Sequence, residues 1–481
     1  MKRFIAIAAL LLCGVGMVFA GGKQAGDEKV KVTMWSANRG QSTYWDPLIP
    51  VYNAKNTDNI EFQEIRYFGD DFYQAVELTV QTGGELPDLF SNQVLYCFSG
   101  TMNQQGWFLN LDEWLKTHTT AADQEFQRIY SPYKIAGSTV RDGEWLSAGH
   151  TGSPGNRLIY NRDIFAKAGL PDRAPETLEE MIEFARQITT RLKGEGIYGF
   201  AMNMKNPNSA YGRSLAPQIS LYTGLEYTGY NPETGKFQAD TEERWEILRA
   251  WQQLLAPDTV FPGSESLDID PLRAQFADGK IGMYISYGFE PMVYAETAQF
   301  PNKYNWSMAK IPVPGGKYKG KISTTVDGAI VINGKSKQVE EAWKVYRDVF
   351  YSLDNVAGLV TLGLATVVVP EINAIATLPD IYTRIPYANW QPDADCYAGL
   401  PYFTGSYTLE GPDVNAVHDQ IIQGGLGRTE ALALLKDMSE RYQRGMQLAI
   451  DRGEYNVHLL NNYDPTDLTK YTLGAEIPKS R

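Results

Sequence analysis

Residues that could catalyse a reaction are few in this sequence, and their spacing matches no common catalytic motif. It has four histidines, none of them in an HExxH metal motif, and it has no GxSxG segment to present a nucleophilic serine. The segment GGKYKGKI (315–322) nearly spells a P-loop, but Ile322 occupies the position of the metal-binding Ser or Thr, and strand-like residues follow. We therefore expect no enzyme. Acid pairs are abundant, so a secreted carbohydrate-active enzyme, a glycoside hydrolase or lyase, is the alternative.

Metal and disulfide chemistry are also weakly indicated. The acidic segment NPETGKFQADTEE (231–243) lacks the regular oxygen spacing of an EF-hand loop and fits a hairpin better. Beyond the N-terminal segment the cysteines are Cys97 and Cys396, and neither stands in a CxxC or Cys–His spacing. Two separate buried thiols fit them better than a disulfide, although an oxidising compartment would permit one. We expect neither a metal nor a cofactor.

The N-terminus predicts export. Lys2 and Arg3 precede an apolar run that ends in Val18-Phe19-Ala20, the pattern of a signal peptide over residues 1–20. The run is too short to span a membrane, and residues 21–29 read as a flexible leader. These features predict a periplasmic protein. A lipoprotein anchored through Cys13 is the alternative, although Leu12 stands where a small residue is preferred.

Length and charge limit the partners. The remaining roughly 460 residues suffice for two or three folding units. The formal net charge is −13, which disfavours nucleic acid and anionic membranes as partners. The sequence therefore predicts a soluble protein that meets neutral or cationic ligands.

Alternating strand and helix patterns predict the elements that position a site. KVTMWS and IEFQEI alternate like strands, DDFYQAVELTVQTGG has helical spacing with a glycine stop, and ELPDLFSN follows as a short strand. This order is that of the βαβ unit of a parallel sheet. Polar residues follow the first and last of these strands, where a parallel sheet usually binds its ligand.

The stretch 155–185 specifies its local structure most clearly. RLIY predicts a strand, Asn161 a helix cap, and Gly169 a helix stop. Thr177 and Glu180 then predict a capping box at the start of a second helix. In DIDPLRAQFADGK (268–280), Asp270 is the expected cap. All of these residues serve packing.

Five segments together resemble extracellular solute-binding proteins of family 1, the maltose-binding-like receptors of bacterial ABC importers. The resemblance covers nearly the whole mature chain, and the segments stand in the family's order. They are ELPDLF (85–90), DGEWLSAGHTGSPGNRLIYNRDIFAKAGLPDRAPETLEEMIEFARQI (142–188), FADGKIGMYIS (276–286), TTVDGAIVIN (324–333) and VEEAWKVYRDVF (339–350).

The resemblance implies an α/β type II periplasmic-binding-protein fold, with parallel or mixed sheets flanked by helices in two lobes and a ligand cleft between them. By analogy, residues 28–148 plus 305–352 form lobe 1, and residues 149–304 plus 353–481 form lobe 2. The implied function is that of a monomeric receptor that captures a carbohydrate by hinge closure and delivers it to the transmembrane subunits of an ABC permease. Peptides, polyamines and other small solutes stay open as ligands, because this fold binds many.

Candidate contact residues follow from the chemistry of sugars and from the loops that the resemblance points to. Sugars present apolar faces and rings of hydroxyls, so their sites combine flat aromatic rings with polar side chains. The acidic contacts of the maltose binder's second lobe have no clear counterpart, so we expect a ligand other than maltose. The candidates are Trp35, Asn38, Arg39, Asn92, Gln93, Tyr211, Tyr287, Phe289, Trp390 and Tyr407.

Overall fold

The described part of the chain excludes the first 28 residues, several internal segments and residues 477–481. A computed structural model describes residues 29–37, 41–67, 71–98, 102–103, 105–134, 138–141, 143–153, 155–296, 298–388, 396–398, 403–405, 407–461 and 472–476. Residues 1–28, including Cys13, lie outside these ranges, so signal cleavage and lipidation stay predictions. The side chains of Cys97 and Cys396 are not described either. Within these ranges, every helix is too short or too polar to cross a bilayer.

Strands and helices alternate along the described residues. The strands are β1 (Val30–Ser36), β2 (Ile60–Arg66), β3 (Leu89–Ser91), β4 (Val140–Arg141), β5 (Glu144–Trp145), β6 (Thr151–Ser153), β7 (Asn156–Asn161), β8 (Tyr198–Phe200), β9 (Tyr230–Asn231), β10 (Lys236–Phe237), β11 (Ile281–Tyr287), β12 (Trp306–Ala309), β13 (Ile322–Asp327), β14 (Ile330–Ile332), β15 (Cys396–Ala398), β16 (Phe403–Gly405), β17 (Tyr455–Asn461) and β18 (Thr472–Glu476).

The helices flank these strands. They are α1 (Ser42–Lys55), α2 (Asp71–Thr82), α3 (Gln93–Phe98), α4 (Leu111–Trp114), α5 (Ala121–Tyr130), α6 (Arg162–Lys167), α7 (Leu178–Leu192), α8 (Pro207–Arg213), α9 (Leu215–Thr223), α10 (Glu242–Leu254), α11 (Ile269–Ala277), α12 (Glu290–Tyr294), α13 (Val339–Val345), α14 (Leu353–Thr361), α15 (Pro370–Ile375), α16 (Asp380–Arg384), α17 (Val414–Gln423) and α18 (Arg428–Arg452).

The first large sheet has the strand order β14-β3-β1-β2. β1 runs parallel to both β2 and β3, and β14 runs antiparallel to β3. The predicted strand–helix–strand unit is therefore confirmed, with β1 inserted between β2 and β3. Its core includes Phe62 and Trp343, each about 2 % exposed.

The second large sheet has the order β12-β7-β11-β8. β7 is antiparallel to β11 and β12, and β11 is parallel to β8. Helix α7 packs directly on β8 at Gly199, where an added Cβ would lie 2.0 Å from the carbonyl oxygen of Ala185. This close approach requires glycine. A separate core that includes the buried Trp251 and Phe200 covers this sheet.

The stretch 155–185 forms the predicted strand and helices, with one difference. The Asn161 side chain caps α6, Gly169 has φ +69°, and the Thr177 hydroxyl accepts the Glu180 N–H at 3.2 Å. The Glu180 carboxylate accepts the backbone N–H of Glu176 at 2.7 Å. The capping box is therefore only half formed, because the Glu180 carboxylate accepts the Glu176 N–H and not the N–H of the cap residue Thr177.

The cap of α11 corrects the expectation for Asp270. The cap is Asp268, whose side chain accepts the Ile269 N–H at 2.8 Å. Asp270 lies in the first helical turn and accepts a hydrogen bond from Arg273 Nη1 at 3.3 Å. An acidic residue in the first turn stabilises the positive end of the helix dipole, so the position suits Asp270 without making it the cap.

Other local expectations fall within the described residues. The segment 231–243 contributes to the predicted hairpin, in which β9 and β10 pair antiparallel. Ile322 begins β13, so a strand does follow the P-loop-like segment. The expected helix 339–350 begins as α13 and continues as a π-helical turn over Tyr346–Phe350.

Packing crosses the expected lobe division at three elements. β12 falls within the residues expected for lobe 1 but pairs with β7 in the second sheet. α14 and α15 were assigned to lobe 2, but Val356, Val360 and Ile372 belong to the core cluster that covers the first sheet. The residue bounds of the lobes stay a prediction.

Candidate functional site

Three chain segments run side by side between the two large sheets. β6 and β13 pair antiparallel, with Gly152 opposite Val326. Thr366 joins them, since its hydroxyl donates to the Gly152 carbonyl at 2.5 Å and its carbonyl accepts the Gly152 N–H at 3.1 Å. An added Cβ at Gly328 would lie 1.9 Å from the Ser147 hydroxyl, so this close crossing also requires glycine. We call β6, β13 and residues 366–368 the crossing segments.

The ends of the sheet strands lie next to the crossing segments. β6 leads into β7 at Asn156, which pairs with Tyr287, the last residue of β11. β13 leads into β14 at Ile330, which pairs with Ser91, the last residue of β3. β1 ends at Ser36 on the same edge, because it runs parallel to β3. The described strand ends of both sheets therefore lie beside the crossing segments, and we call the space between them the gap. Such a place is where two-lobed α/β proteins usually bind a ligand.

Two aromatic rings mark this edge on the first sheet. Trp35 and Tyr67 are half-buried, and their ring centroids lie 5.2 Å apart. The Ala37 N–H donates to Ser91 Oγ at 3.1 Å, which ties the end of β1 to the end of β3. Tyr67 was not among the predicted contacts, although it follows β2 just as the predicted loop follows β1. Asn38 and Arg39 lie outside the described residues and stay predictions.

Polar groups follow β3 at the same edge. The Asn92 N–H donates to the Ala329 carbonyl at 2.9 Å, beside the point where the chain leaves the crossing segments. Gln93 is half-buried, and its Oε1 is buried without a hydrogen-bond partner within the described ranges. This oxygen can accept a hydrogen bond from a ligand hydroxyl.

A stack of rings and guanidinium groups marks the edge of the second sheet. Tyr287 and Phe289 are half-buried and stack with centroids 5.3 Å apart. The Arg213 guanidinium lies 4.6 Å from the centre of the Tyr287 ring, and the Arg273 guanidinium lies 5.8 Å from that of Phe289. Flat rings of this kind can bind the apolar face of a sugar.

Glu290 stands behind this stack and is completely buried. Its carboxylate accepts hydrogen bonds from Arg273 Nε at 3.1 Å and from Arg273 Nη2 at 2.8 Å. It also accepts hydrogen bonds from the Tyr284 hydroxyl at 3.0 Å and from the Ser286 hydroxyl at 2.6 Å. Four donors use the roughly four acceptor positions of a carboxylate. Glu290 is thus fully engaged with Arg273 and its neighbours.

Arg213 has a different environment. Its Nε donates to Ser209 Oγ at 3.2 Å, while its Nη1 is buried and has no hydrogen-bond partner among the described residues. Asn156 Nδ2 donates to the Arg213 carbonyl at 2.8 Å, which fixes the end of α8 against β7. Burial, and secondarily the charge of Arg273, lowers the pKa of Arg213 from its usual value.

The other aromatic candidates lie away from this gap or outside the described residues. Tyr211 is completely buried, and its hydroxyl donates to Asp419 at 2.8 Å. Tyr407 is half-buried and packs against Tyr455, with ring centroids 5.2 Å apart. Both lie in the core around the second sheet. Trp390 is outside the described residues and stays a prediction.

The segment that holds Tyr211 and Arg213 is a helix and not the predicted loop. The segment NPNSAYGRS reads as a loop, but Asn206 caps α8 and Pro207 occupies its first position. Asparagine followed by proline is typical of a helix start. Two residues apart on a helix, Tyr211 and Arg213 point to different faces of α8.

The described residues include no group of three or more His, Cys, Asp or Glu side chains arranged to hold a metal ion.

Comparisons with known proteins place this architecture. The sequence pattern of the bacterial extracellular solute-binding protein family matches residues 36–347. A putative binding protein of Brucella abortus (strain 2308) is 24 % identical over 340 residues, which cover 70 % of this chain and 75 % of the relative.

Solved structures share the fold. The maltose/maltodextrin-binding domain MalE from Bdellovibrio bacteriovorus, bound to maltotriose, has a TM-score of 0.58 at 17 % identity and covers 86 % of this chain and 100 % of its own. An ABC transporter solute-binding protein from Agrobacterium radiobacter K84, in complex with ribitol, has a TM-score of 0.58 at 16 % identity, with coverage of 86 % and 99 %. These likenesses establish a two-lobed type II binding-protein fold. The chain belongs to the bacterial extracellular solute-binding protein family.

Proposed function

We propose that this chain is the receptor of an ABC importer and captures a carbohydrate, most simply an oligosaccharide, in the gap beside the crossing segments. The observation that carries the proposal is the pair of aromatic clusters at that gap. Trp35 and Tyr67 lie next to the ends of strands of the first sheet, and Tyr287 and Phe289 lie at the end of a strand of the second. Rings on two sides suit a ligand with two apolar faces.

Polar groups beside the rings supply the rest of what a sugar needs. Gln93 Oε1 and Arg213 Nη1 are buried and have no partner in the described structure, so ligand hydroxyls or ring oxygens would satisfy them. A buried polar group that only the ligand can satisfy also gives selectivity, because a solute lacking the matching group leaves it unpaired. Structural neighbours bound to maltotriose and to ribitol are consistent with a polyhydroxylated ligand.

Hinge closure would couple capture to delivery. A ligand that contacts both sheets adds contacts in the closed state that the open state lacks, so binding shifts the equilibrium towards closure. The crossing segments are the natural hinge, since they join the two sheets. The proposal includes export to the periplasm, action as a monomer, delivery to the transmembrane subunits of the permease, and no catalytic turnover.

A carbohydrate panel tests the proposal. The purified mature chain is screened by thermal shift against neutral and acidic mono- and oligosaccharides, and against peptides and polyamines. Each carbohydrate mixture is then analysed for product. We expect saturable stabilisation by at least one carbohydrate, since a ligand that binds only the folded state raises the melting temperature. Conversion of a glycan to product would contradict the receptor assignment, and so would stabilisation by peptides or polyamines alone.

A further inference from the structure

Arg213 is half-buried, and the described residues leave its charge and its buried Nη1 without an acidic partner. The carboxylate whose charge acts on it is that of Glu290, which is already engaged by two nitrogens of Arg273 and by two hydroxyls. Within the described ranges Arg213 forms no ion pair. Buried charges in proteins are usually paired, because desolvating an unpaired charge costs several kcal/mol.

The position of Arg213 points its charge at the proposed ligand gap. The guanidinium lies 4.6 Å from the centre of the Tyr287 ring, and Tyr287 is the last residue of β11 beside the crossing segments. Asn156 and Ser214 hold the end of α8 in place, since Asn156 Nδ2 donates to the Arg213 carbonyl at 2.8 Å and Ser214 Oγ donates to the Ile285 carbonyl at 3.2 Å. The group is thus preorganised, which lowers the cost of binding a ligand.

We propose that Arg213 makes this receptor selective for a carbohydrate that carries a carboxylate, such as a uronic acid or an oligosaccharide of uronic acids. The inference rests on the proposed function and names its ligand class. A carboxylate both accepts a hydrogen bond from the free Nη1 and neutralises the charge of the guanidinium. A neutral hydroxyl accepts the hydrogen bond but leaves the charge unpaired. The sugar ring then packs on Tyr287 beside the carboxylate.

The acidic net charge does not conflict with this selectivity. The formal charge of −13 belongs to the whole chain, most of it at the surface, and salt screens surface charges beyond about 8 Å under physiological conditions. A buried guanidinium in contact with the ligand is screened much less. The net charge of the chain predicts a neutral or cationic ligand, but the positive charge of Arg213 at the site favours an anionic one.

Matched pairs of probes test the inference on the unaltered protein. Dissociation constants are measured by calorimetry for D-galacturonate, D-glucuronate and D-mannuronate, as monomers and trimers, and for the methyl ester of each, which differs mainly in charge. We expect at least one uronate to bind about 10- to 100-fold more tightly than its ester. An ester or a neutral sugar that binds as tightly as the best uronate would overturn the inference.

Two variants assign the preference to Arg213. Arg213→Met removes the charge and should abolish the difference between acid and ester, while Arg213→Lys keeps the charge and should retain part of it. Arg186→Met is the matched control, because Arg186 is exposed and pairs with Glu183 and Asp258. A uronate preference that persists in Arg213→Met would overturn the assignment. Binding of neutral sugars alone would overturn the inference but leave the proposed function standing, whereas binding of no carbohydrate would remove both.

Discussion

At the scale of single residues, the second-sheet edge holds two arginines with opposite surroundings, the buried Arg273 and the half-buried Arg213. Arg273 is neutralised by Glu290 in a two-pronged ion pair, and two hydroxyls complete the coordination of the carboxylate. Arg213, on the other side of the same ring stack, has no such partner in the described structure. The first arrangement serves structure, and we propose that the second serves binding.

The ion pair gives a stability prediction. Glu290→Gln leaves the buried Arg273 guanidinium without its principal carboxylate, so we expect the free energy of unfolding to fall by about 3 kcal/mol. Urea denaturation monitored by tryptophan fluorescence measures this change. Glu242→Gln is the control, because Glu242 pairs with Arg428 on the surface and its loss should have no measurable effect. Equal effects of the two substitutions would show that burial does not govern this pair.

At the scale of elements, sequence patterns with local causes predicted the structure best. Caps, stops and alternation located α6, α7 and β7 because a few neighbouring residues determine each of them. The predicted cap of α11, Asp270, lies two residues after the observed cap Asp268, since aspartate is a favourable cap at either position. Tyr211 is buried because α17, a distant segment of the chain, packs over it and Asp419 of α17 accepts its hydroxyl hydrogen bond. The residue spacing around Tyr211 does not reveal this contact.

The crossing segments were not predicted as a unit, because their contacts join distant parts of the chain. His150 links all three: its N–H donates to the Asp327 carbonyl at 3.1 Å, and its carbonyl accepts the Val368 N–H at 2.9 Å. Its imidazole is buried, with the ring centroid 5.0 Å from that of Tyr351. Burial lowers the pKa of His150 from 6.5 to about 4.

This shift predicts acid sensitivity of the crossing. The folded chain keeps His150 neutral, while the unfolded chain binds a proton below about pH 6.5, so acid favours unfolding as pH falls towards 4. Between pH 7 and pH 5 this residue should cost about 2 kcal/mol of stability. His150→Gln should remove that part of the loss, as measured by urea denaturation at both pH values. His418, also buried with a lowered pKa, remains in the variant and accounts for a residual dependence. An unchanged pH dependence in His150→Gln would contradict this account.

At the scale of the whole molecule, the two sheets act as supports that bring distant strand ends together. The sequence predicts Trp35, Asn92, Gln93, Tyr287 and Phe289 as ligand contacts, and the structure places all five at strand ends next to the crossing segments. Their contact with a ligand stays a prediction. The sequence did not predict Tyr67 or Arg213, because their nearness to the gap depends on the packing of β2 and α8. Local sequence patterns do not predict the ligand, because its identity depends on the combined shape and charge of the facing edges of the two sheets.

The most direct test of the account measures whether one ligand uses both edges. The carbohydrate with the highest affinity in the panel is titrated by calorimetry into the unaltered chain, Trp35→Ala, Tyr287→Ala and the control Tyr304→Ala, which removes an exposed ring from the second-sheet side. The account predicts that Trp35→Ala and Tyr287→Ala each weaken binding by about tenfold or more, from the loss of a ring face, while Tyr304→Ala leaves it unchanged. Unchanged affinity in a folded Trp35→Ala or Tyr287→Ala variant would contradict a ligand held between the two sheets.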